Sequence, residues 1–414
     1  MPRRAIALTF FAAVAAAVAA AAVAPPAAPP PADPAATLAR AIARYLAFPA
    51  TSRMLQVNNY GPSIALSAAY EAAALFNQPW APKIDALLTA YAADPASVVA
   101  GVLRGDNMSA AQGYSIGDEL GLMPIAYVAR AVAARVPYPR GDDWRLAEAV
   151  ADRYVLGWPL RLRDGTVSRH VGSWGPGEPD AGNGTFLWGD DQFMGTALLC
   201  RLARTPGFPA AKARAYVDAV AAQMVLFAAH VQDPATGLFR HGFNAATNDS
   251  SCCRWGRANG WIMMAHAEAA GALAAVAPAH PQLPELLRVW RLHVAGFVAT
   301  HDAAGDGRWH QVLDAPDTFL ETSATAMAVY SIATGVAGGF LDAGLAPLAR
   351  AAWAGVAGAV GADGAVAGIC EGTGIGNTVA FYEARSTAYN SSDPGIGAVF
   401  RAAIAIARCG AACA

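Results

Sequence analysis

Two adjacent carboxylates, Asp190 and Asp191, stand in the stretch FLWGDDQFMG between Trp188 and an apolar run that leads into a helix. Like charges side by side repel, so an ordinary core would exclude them. An Asp just ahead of a helix has a structural use, because it satisfies free N–H groups and meets the positive end of the dipole. With two in a row, one can cap while the other faces a ligand. The capping carboxylate stays ionised, and its charge raises the pKa of its neighbour. A carboxylic acid partly protonated near neutrality can give a proton and take it back, although the helix dipole acts on its pKa in the opposite direction.

A second cluster is CCRWGRANGW, residues 252–261, with Arg257 flanked by Trp255 and Trp261 near a helix start. A guanidinium among aromatic faces suits a carboxylate borne on a flat ring, by forked pairing and stacking. It equally suits an Arg paired to a neighbouring Asp over core tryptophans. His241 in LFRHGF precedes this cluster, and His310 in GRWHQV reads as its counterpart one repeat later. A lone His has an ordinary structural reading as well as a catalytic one. Glu321 in FLETSATAM reads as a helix cap, and Asp118 in YSIGDELGL as a further acidic candidate. GTGIG, 372–376, is no phosphate loop, because no GK[ST] follows. The His and Cys spacings match no metal site, so neither metal nor cofactor is expected.

What must position these residues is helical. Apolar periodicity marks helices near 36–48, 64–77, 121–136, 146–158, 193–205, 211–230, 258–277, 284–300, 321–335, 345–360 and 396–408. The loops repeat a theme: Asp, then Gly, then a short alternating stretch, beginning at Asp164, Asp233, Asp302 and Asp363. Gly165, Gly237, Gly307 and Gly364 lie 72, 70 and 57 residues apart, with two helices between each pair. A repeated helical hairpin cannot bury its apolar face alone, so neighbours must stack. Eleven or twelve helices suit a closed double ring of six hairpins, with the long loops gathered at one mouth. The fold expected is therefore all-α, an (α/α)6 barrel with short strands in its loops.

Composition sets the outer limits. The 414 residues carry 29 Lys+Arg against 31 Asp+Glu, a formal charge of −2, and no basic stripe, which argues against a nucleic-acid partner. MPRR followed by the apolar 5–24 reads as a signal peptide, with a membrane anchor as the other reading. Residues 25–35 read as a stiff Pro/Ala-rich linker, and 36–414 as one catalytic domain. No later stretch reads as membrane-spanning, so a secreted monomer with no membrane contact after cleavage is expected. Six cysteines fit an oxidising compartment; Cys409 and Cys413 are a plausible pair, while Cys200 reads as buried. Sequons start at Asn107, Asn183, Asn248 and Asn390.

Taken in order, LWGDDQFMG, TGLFRHGF, RWGRANGW, GRWHQVLD and LETSATAM resemble glycoside hydrolase family 105, the unsaturated rhamnogalacturonyl hydrolases, related to the unsaturated glucuronyl hydrolases of family 88. The resemblance runs over roughly 50–400 and implies the (α/α)6 barrel independently. It implies an oligosaccharide substrate, made by a polysaccharide lyase, that ends in a 4,5-unsaturated uronic acid. One Asp protonates C4 of the enol ether, water adds at C5, and the hemiketal opens to release the next sugar. The family pattern of Trp, one residue, Asp, then Met four further on fits Trp188, Asp190 and Met194, which makes Asp190 the acid/base. By the same matching His241, Trp255, Arg257 and Trp261 look like substrate contacts, and Tyr60 in NNYGPSIAL another. The family has a second acid in the N-terminal third, for which Asp118 is the nearest match. Other readings of such a mouth are a polysaccharide lyase, a conventional two-carboxylate glycosidase using Glu321 or Asp118, and a sugar-binding protein without catalysis.

Overall fold

The computed structural model describes residues 33–57, 59–109, 116, 120–169, 185–302, 305–388 and 393–413. The expected leader, most of the linker, Asp118 and the sequons at Asn183 and Asn390 lie outside the described residues. Six helices form an inner ring: Tyr60–Leu75, Ile125–Ala133, Ala197–Ala203, Gly256–Val276, Thr322–Ala337 and Asp393–Cys409. Each packs on the next, and the last returns to the first, so the ring closes. Helices Pro34–Leu46, Ala81–Ala93 with Val98–Arg104, Asp142–Ala149, Ala210–Val231, Leu283–Ala299 and Ala346–Gly358 pack outside it. This is the (α/α)6 barrel.

The inner helices are apolar nearly all round, as helices buried on every side must be. Small residues let them approach. At Gly260 a Cβ would run into Met327, and at Gly397 into Ile64. The stretch Gly395–Cys413 is apolar and long enough to cross a membrane, contrary to the reading that no later segment is. Here it is a ring helix, packed on Thr322–Ala337 and Tyr60–Leu75.

The repeated turns share one geometry. Gly165, Gly237, Gly307 and Gly364 all have left-handed φ, between +76° and +94°. Asp164, Asp233, Asp306 and Asp363 each accept the backbone N–H two residues on, at 2.9–3.1 Å. In the third turn the Asp is therefore Asp306, not Asp302. Gly237 packs against the carbonyl of Leu292 and Gly364 against that of Arg40, each on the following outer helix. After each turn the chain runs back to the mouth and enters an inner helix.

Two expectations change. The helix expected at 193–205 is broken into Asp191–Met194 and Ala197–Ala203. Ala81–Ala93 and Val98–Arg104 were not visible in the periodicity; the first buries only Ile84 and Leu88. Cys409 and Cys413 are bonded, and Cys200 is free and buried. Cys252 and Cys253 are bonded to each other.

Candidate active site

A three-stranded antiparallel sheet sets up the site at the mouth where the inner helices begin. β1 (Phe186–Trp188) pairs with β2 (Gly242–Asn244), and β2 with β3 (Asp249–Ser250). In this register Trp188 lies opposite Gly242, and Gly189 N–H donates to the His241 carbonyl at 2.8 Å. The chain then turns, and Asp190 arrives beside the His241 ring, with Nε2 3.4 Å from Oδ2.

Neither carboxylate of the pair caps a helix through its side chain; Asp190 occupies the cap position without a cap bond. Asp191 is instead gripped by Arg169, which donates from Nε to Oδ2 at 2.6 Å and from Nη2 to Oδ1 at 2.8 Å. Both side chains are nearly sealed from solvent. Such a forked pair offsets the charge of Asp191, which explains how two adjacent acids are tolerated. The same guanidinium lies 4.3 Å from the Trp188 ring centroid. Burial pushes the Asp190 carboxyl up, but His241, Arg257 and Arg169 outweigh it and hold the pKa below its ordinary value. An acid raised by its charged neighbour is therefore not what the structure shows for Asp190: the imidazole and the cations around it prevail over burial.

Arg257 opens the Gly256–Val276 helix and is 1% exposed. Its guanidinium lies 4.7 Å from the Trp255 centroid, and Nη1 donates to the Cys370 carbonyl. Its Nε has no hydrogen-bond partner, and among the described residues no carboxylate pairs with it. Burial works against its charge, yet the surrounding acidic groups, Cys370 and Glu321 foremost, more than restore it. Arg257 is therefore a desolvated cation waiting for an anion.

A cavity of about 180 Å³ joins these groups. Asp190 and Arg257 both line it, with Trp188, Trp255 and Tyr60 as its aromatic walls. His241 touches Asp190 from behind and is fully buried. Trp261 does not reach the cavity: it is buried beneath it, stacked on Phe193 and edge-on to Tyr60, so it supports a wall instead of touching a ligand. Glu321 is a cap, as expected. It accepts from Ala324 N–H and the Ser323 hydroxyl, and also from Cys370 N–H.

Sequence reasoning missed Arg169, Gly372 and Thr373, which also line the cavity. A signal for Arg169 existed. It lies four residues after Gly165, as His241 lies four after Gly237. The same register makes Gln311, not His310, the counterpart of His241. His310 bonds the Thr318 carbonyl and does not line the cavity. Gly372 has φ +130°, and a Cβ there would sit in ordinary contact with Arg257 Nη2, at 3.5 Å.

A closed double ring of helices with an acid, a guanidinium and tryptophans at one mouth defines an (α/α)6-barrel glycoside hydrolase. The chain belongs to Glycosyl Hydrolase Family 88, whose sequence profile matches residues 142–409. It is 31% identical over 148 residues to the unsaturated rhamnogalacturonyl hydrolase YesR of Bacillus subtilis; that stretch is 35% of this chain and 39% of the relative's length. The fold is similar to that of a Clostridium acetobutylicum family 105 glycoside hydrolase (TM-score 0.70, 17% identity, 90% of this chain and 99% of that one). It is also similar to the unsaturated glucuronyl hydrolase of Bacillus sp. GL1 (TM-score 0.54, 14% identity, 89% and 94%).

Proposed function

We propose that the protein removes a 4,5-unsaturated uronic acid from the non-reducing end of lyase-made oligosaccharides, rhamnogalacturonan fragments of pectin first among them. The observation that carries this is Arg257: a buried cation with no carboxylate partner among the described residues, sharing a small cavity with Asp190. A uronate carboxylate completes the ion pair, and Trp188, Trp255 and Tyr60 enclose a flat ring. Asp190 then delivers a proton to C4. The electron pair of the double bond forms the new C–H bond, and the cation left at C5 is stabilised by the ring oxygen and by the Asp190 carboxylate. Water adds at C5 and returns a proton to Asp190. The hemiketal opens by breaking the C5–O5 bond, which leaves a ketone at C5 and a hemiacetal at C1. Collapse of that hemiacetal to an aldehyde breaks C1–O and frees the next sugar as its alcohol.

The low pKa of Asp190 is set by the protein's own groups. A bound carboxylate offsets the positive field of Arg257 and adds a negative charge nearby, and both effects raise Asp190. The acid is thus armed by its own substrate. A conventional mechanism with Glu321 as second carboxylate is disfavoured, because both Glu321 oxygens are spent on backbone N–H groups and Ser323. If the N-terminal segment acts as a leader, the reaction takes place outside the cytoplasm, where the two disulfides persist.

The test is incubation with unsaturated rhamnogalacturonan and unsaturated chondroitin disaccharides, following the ultraviolet absorbance of the conjugated product. Hydration removes that absorbance, whereas a lyase given intact polymer raises it. Asp190→Asn should cut turnover at least about 10²-fold while sugar binding survives. Full activity in that variant would mean that the acid is elsewhere.

A further inference from the structure

We propose that Tyr382 is a positioning residue for the acid: its hydroxyl locks His241 into the tautomer that holds Nε2–H against Asp190 Oδ2, which leaves Oδ1 to carry the reacting proton. This rests on the reading of Asp190 as the acid.

The argument begins with hydrogens. A tyrosine hydroxyl has one hydrogen to give and two lone pairs. The Tyr382 oxygen accepts Gly376 N–H at 3.0 Å, so its own hydrogen must go elsewhere. Its choices are His241 Nδ1 at 2.9 Å and the Gly376 carbonyl at 3.4 Å. The shorter contact wins, and Nδ1 becomes an acceptor. A neutral imidazole with Nδ1 accepting carries its hydrogen on Nε2. Nε2 lies 3.4 Å from Asp190 Oδ2; the contact does not reach hydrogen-bond geometry here, and both atoms are buried with no hydrogen-bond partner among the described residues, so a small approach pairs them. The other tautomer would set two lone pairs, on Nε2 and the carboxylate, against each other. Both ends of the imidazole thus demand the same state.

The ring also stays neutral. Among the described residues the charged and titratable groups around it are Asp190, Tyr382, Arg169 and Arg257. Burial lowers the His241 pKa, Asp190 opposes this, and the two guanidiniums reinforce it, with a net fall.

The surroundings hold the chain of bonds still. Trp255 lies 4.5 Å from the His241 ring and stacks on Tyr382. Gln311, in the His241 register one repeat on, donates to the Tyr382 carbonyl at 3.3 Å. Tyr382 and His241 are both fully buried, so water cannot substitute for the hydroxyl. Asp190 Oδ2 is sealed as well, although Asp190 lines the cavity. Its two oxygens are therefore unlike: Oδ2 is sealed beside the imidazole, and Oδ1 is not among the sealed atoms of a side chain that lines the cavity. Protonation at Oδ1 aims the proton into the cavity.

The test uses the full chain and Tyr382→Phe, which keeps the ring stacked on Trp255. Nitrogen-15 shifts of the His241 ring, assigned by the signals lost in His241→Gln, should show a protonated Nε2 at neutral pH in the unsubstituted protein. In Tyr382→Phe that single state should be lost. The alkaline limb of kcat/KM on an unsaturated uronyl disaccharide should move upward, because Asp190 loses its donor, and kcat should fall about tenfold. A His241 that is charged or protonated on Nδ1 in the unsubstituted protein overturns the proposal. So does a variant with unchanged ring shifts and pH profile. The ring shifts need no turnover, so they decide the role of Tyr382 even if the disaccharide is not consumed, a result that would sink the functional reading instead.

Discussion

At the scale of single residues the site is a problem in charge bookkeeping solved by pairing. Two adjacent acids receive different partners. Asp191 is neutralised by the Arg169 fork, while Asp190, among the described residues, has an imidazole beside it and no forked cation of its own. That asymmetry makes one structural and leaves the other reactive. It also predicts proton-coupled binding. In the free protein Asp190 is ionised above its lowered pKa. Adding an anion beside Arg257 raises that pKa, so binding should take up part of a proton wherever the pH lies between the free and bound values. A saturated uronate-terminated disaccharide, which cannot react, is the ligand to use. Calorimetry in buffers of different ionisation heat should show the uptake, with affinity rising as pH falls. Asp190→Asn should abolish it. An Arg257→Gln variant should bind at least about tenfold more weakly, since a charge-assisted pair is lost. No uptake in the unsubstituted protein would mean that Asp190 does not respond to the bound charge.

At the scale of elements the governing device is the repeated turn. Its Asp closes the turn on its own backbone, and in three of the four described turns, at Gly237, Gly307 and Gly364, its Gly lies against the next outer helix. Gly237 makes the case. Its φ of +76° disfavours any side chain, and a Cβ would stand 2.1 Å from the Leu292 carbonyl oxygen. Gly237→Ala should therefore destabilise the fold by more than the roughly 1–3 kcal/mol of backbone strain alone, because the Leu283–Ala299 helix must also move. Gly165→Ala has no such neighbour and should cost only the strain. Denaturant unfolding of the two variants gives the comparison, and equal losses would refute the close-packing argument. These turns were legible in the sequence because their chemistry is local: Asp and Gly in the right order announce themselves. The sites they deliver were legible where a residue sat in a cluster, as Trp188, Asp190, Trp255 and Arg257 do. Arg169 stands alone in its loop, and Gly372 and Thr373 lie in a Gly-rich stretch that offers no pattern. What identifies them is their meeting across the mouth, which only ring closure creates. Trp261 shows the converse: it shares the cluster, but a helical turn carries it beneath the wall. Ala81–Ala93 stayed hidden because two buried side chains leave almost no periodic signal.

At the scale of the whole molecule the ring is held at the end away from the site by charge. Glu71 and Glu268 lie eleven and twelve residues into their helices, about 16–18 Å from the mouth. Arg201 bridges them, at 3.3 Å to Glu71 and 2.8 Å to Glu268. Arg401 joins Glu71, and Tyr330 donates to Glu268 at 2.9 Å, so five of the six inner helices meet in one network. The guanidiniums overcome burial and hold Glu71 at a pKa of about 2, with Glu268 lower still. These acids stabilise the fold above their ordinary range, and that contribution is lost only as pH falls through their folded values. A milder acid therefore meets a different weakness first. His266 is buried in the Gly256–Val276 helix, with Nδ1 on the Ile262 carbonyl and Nε2 unpartnered, and burial lowers its pKa from 6.5 to about 3. His293, 6.0 Å away between ring centroids, is lowered as well. Between these values the unfolded chain binds protons that the folded chain refuses, so stability should be full above about pH 6.5 and fall steadily below it. Each such histidine contributes about 2 kcal/mol of the loss between pH 7 and 5. Urea unfolding at the two pH values, compared with His266→Gln, isolates one of them: the variant should be less stable at pH 7, yet lose about 2 kcal/mol less on acidification. An identical loss in both proteins would place the acid sensitivity of the barrel somewhere other than its buried imidazoles.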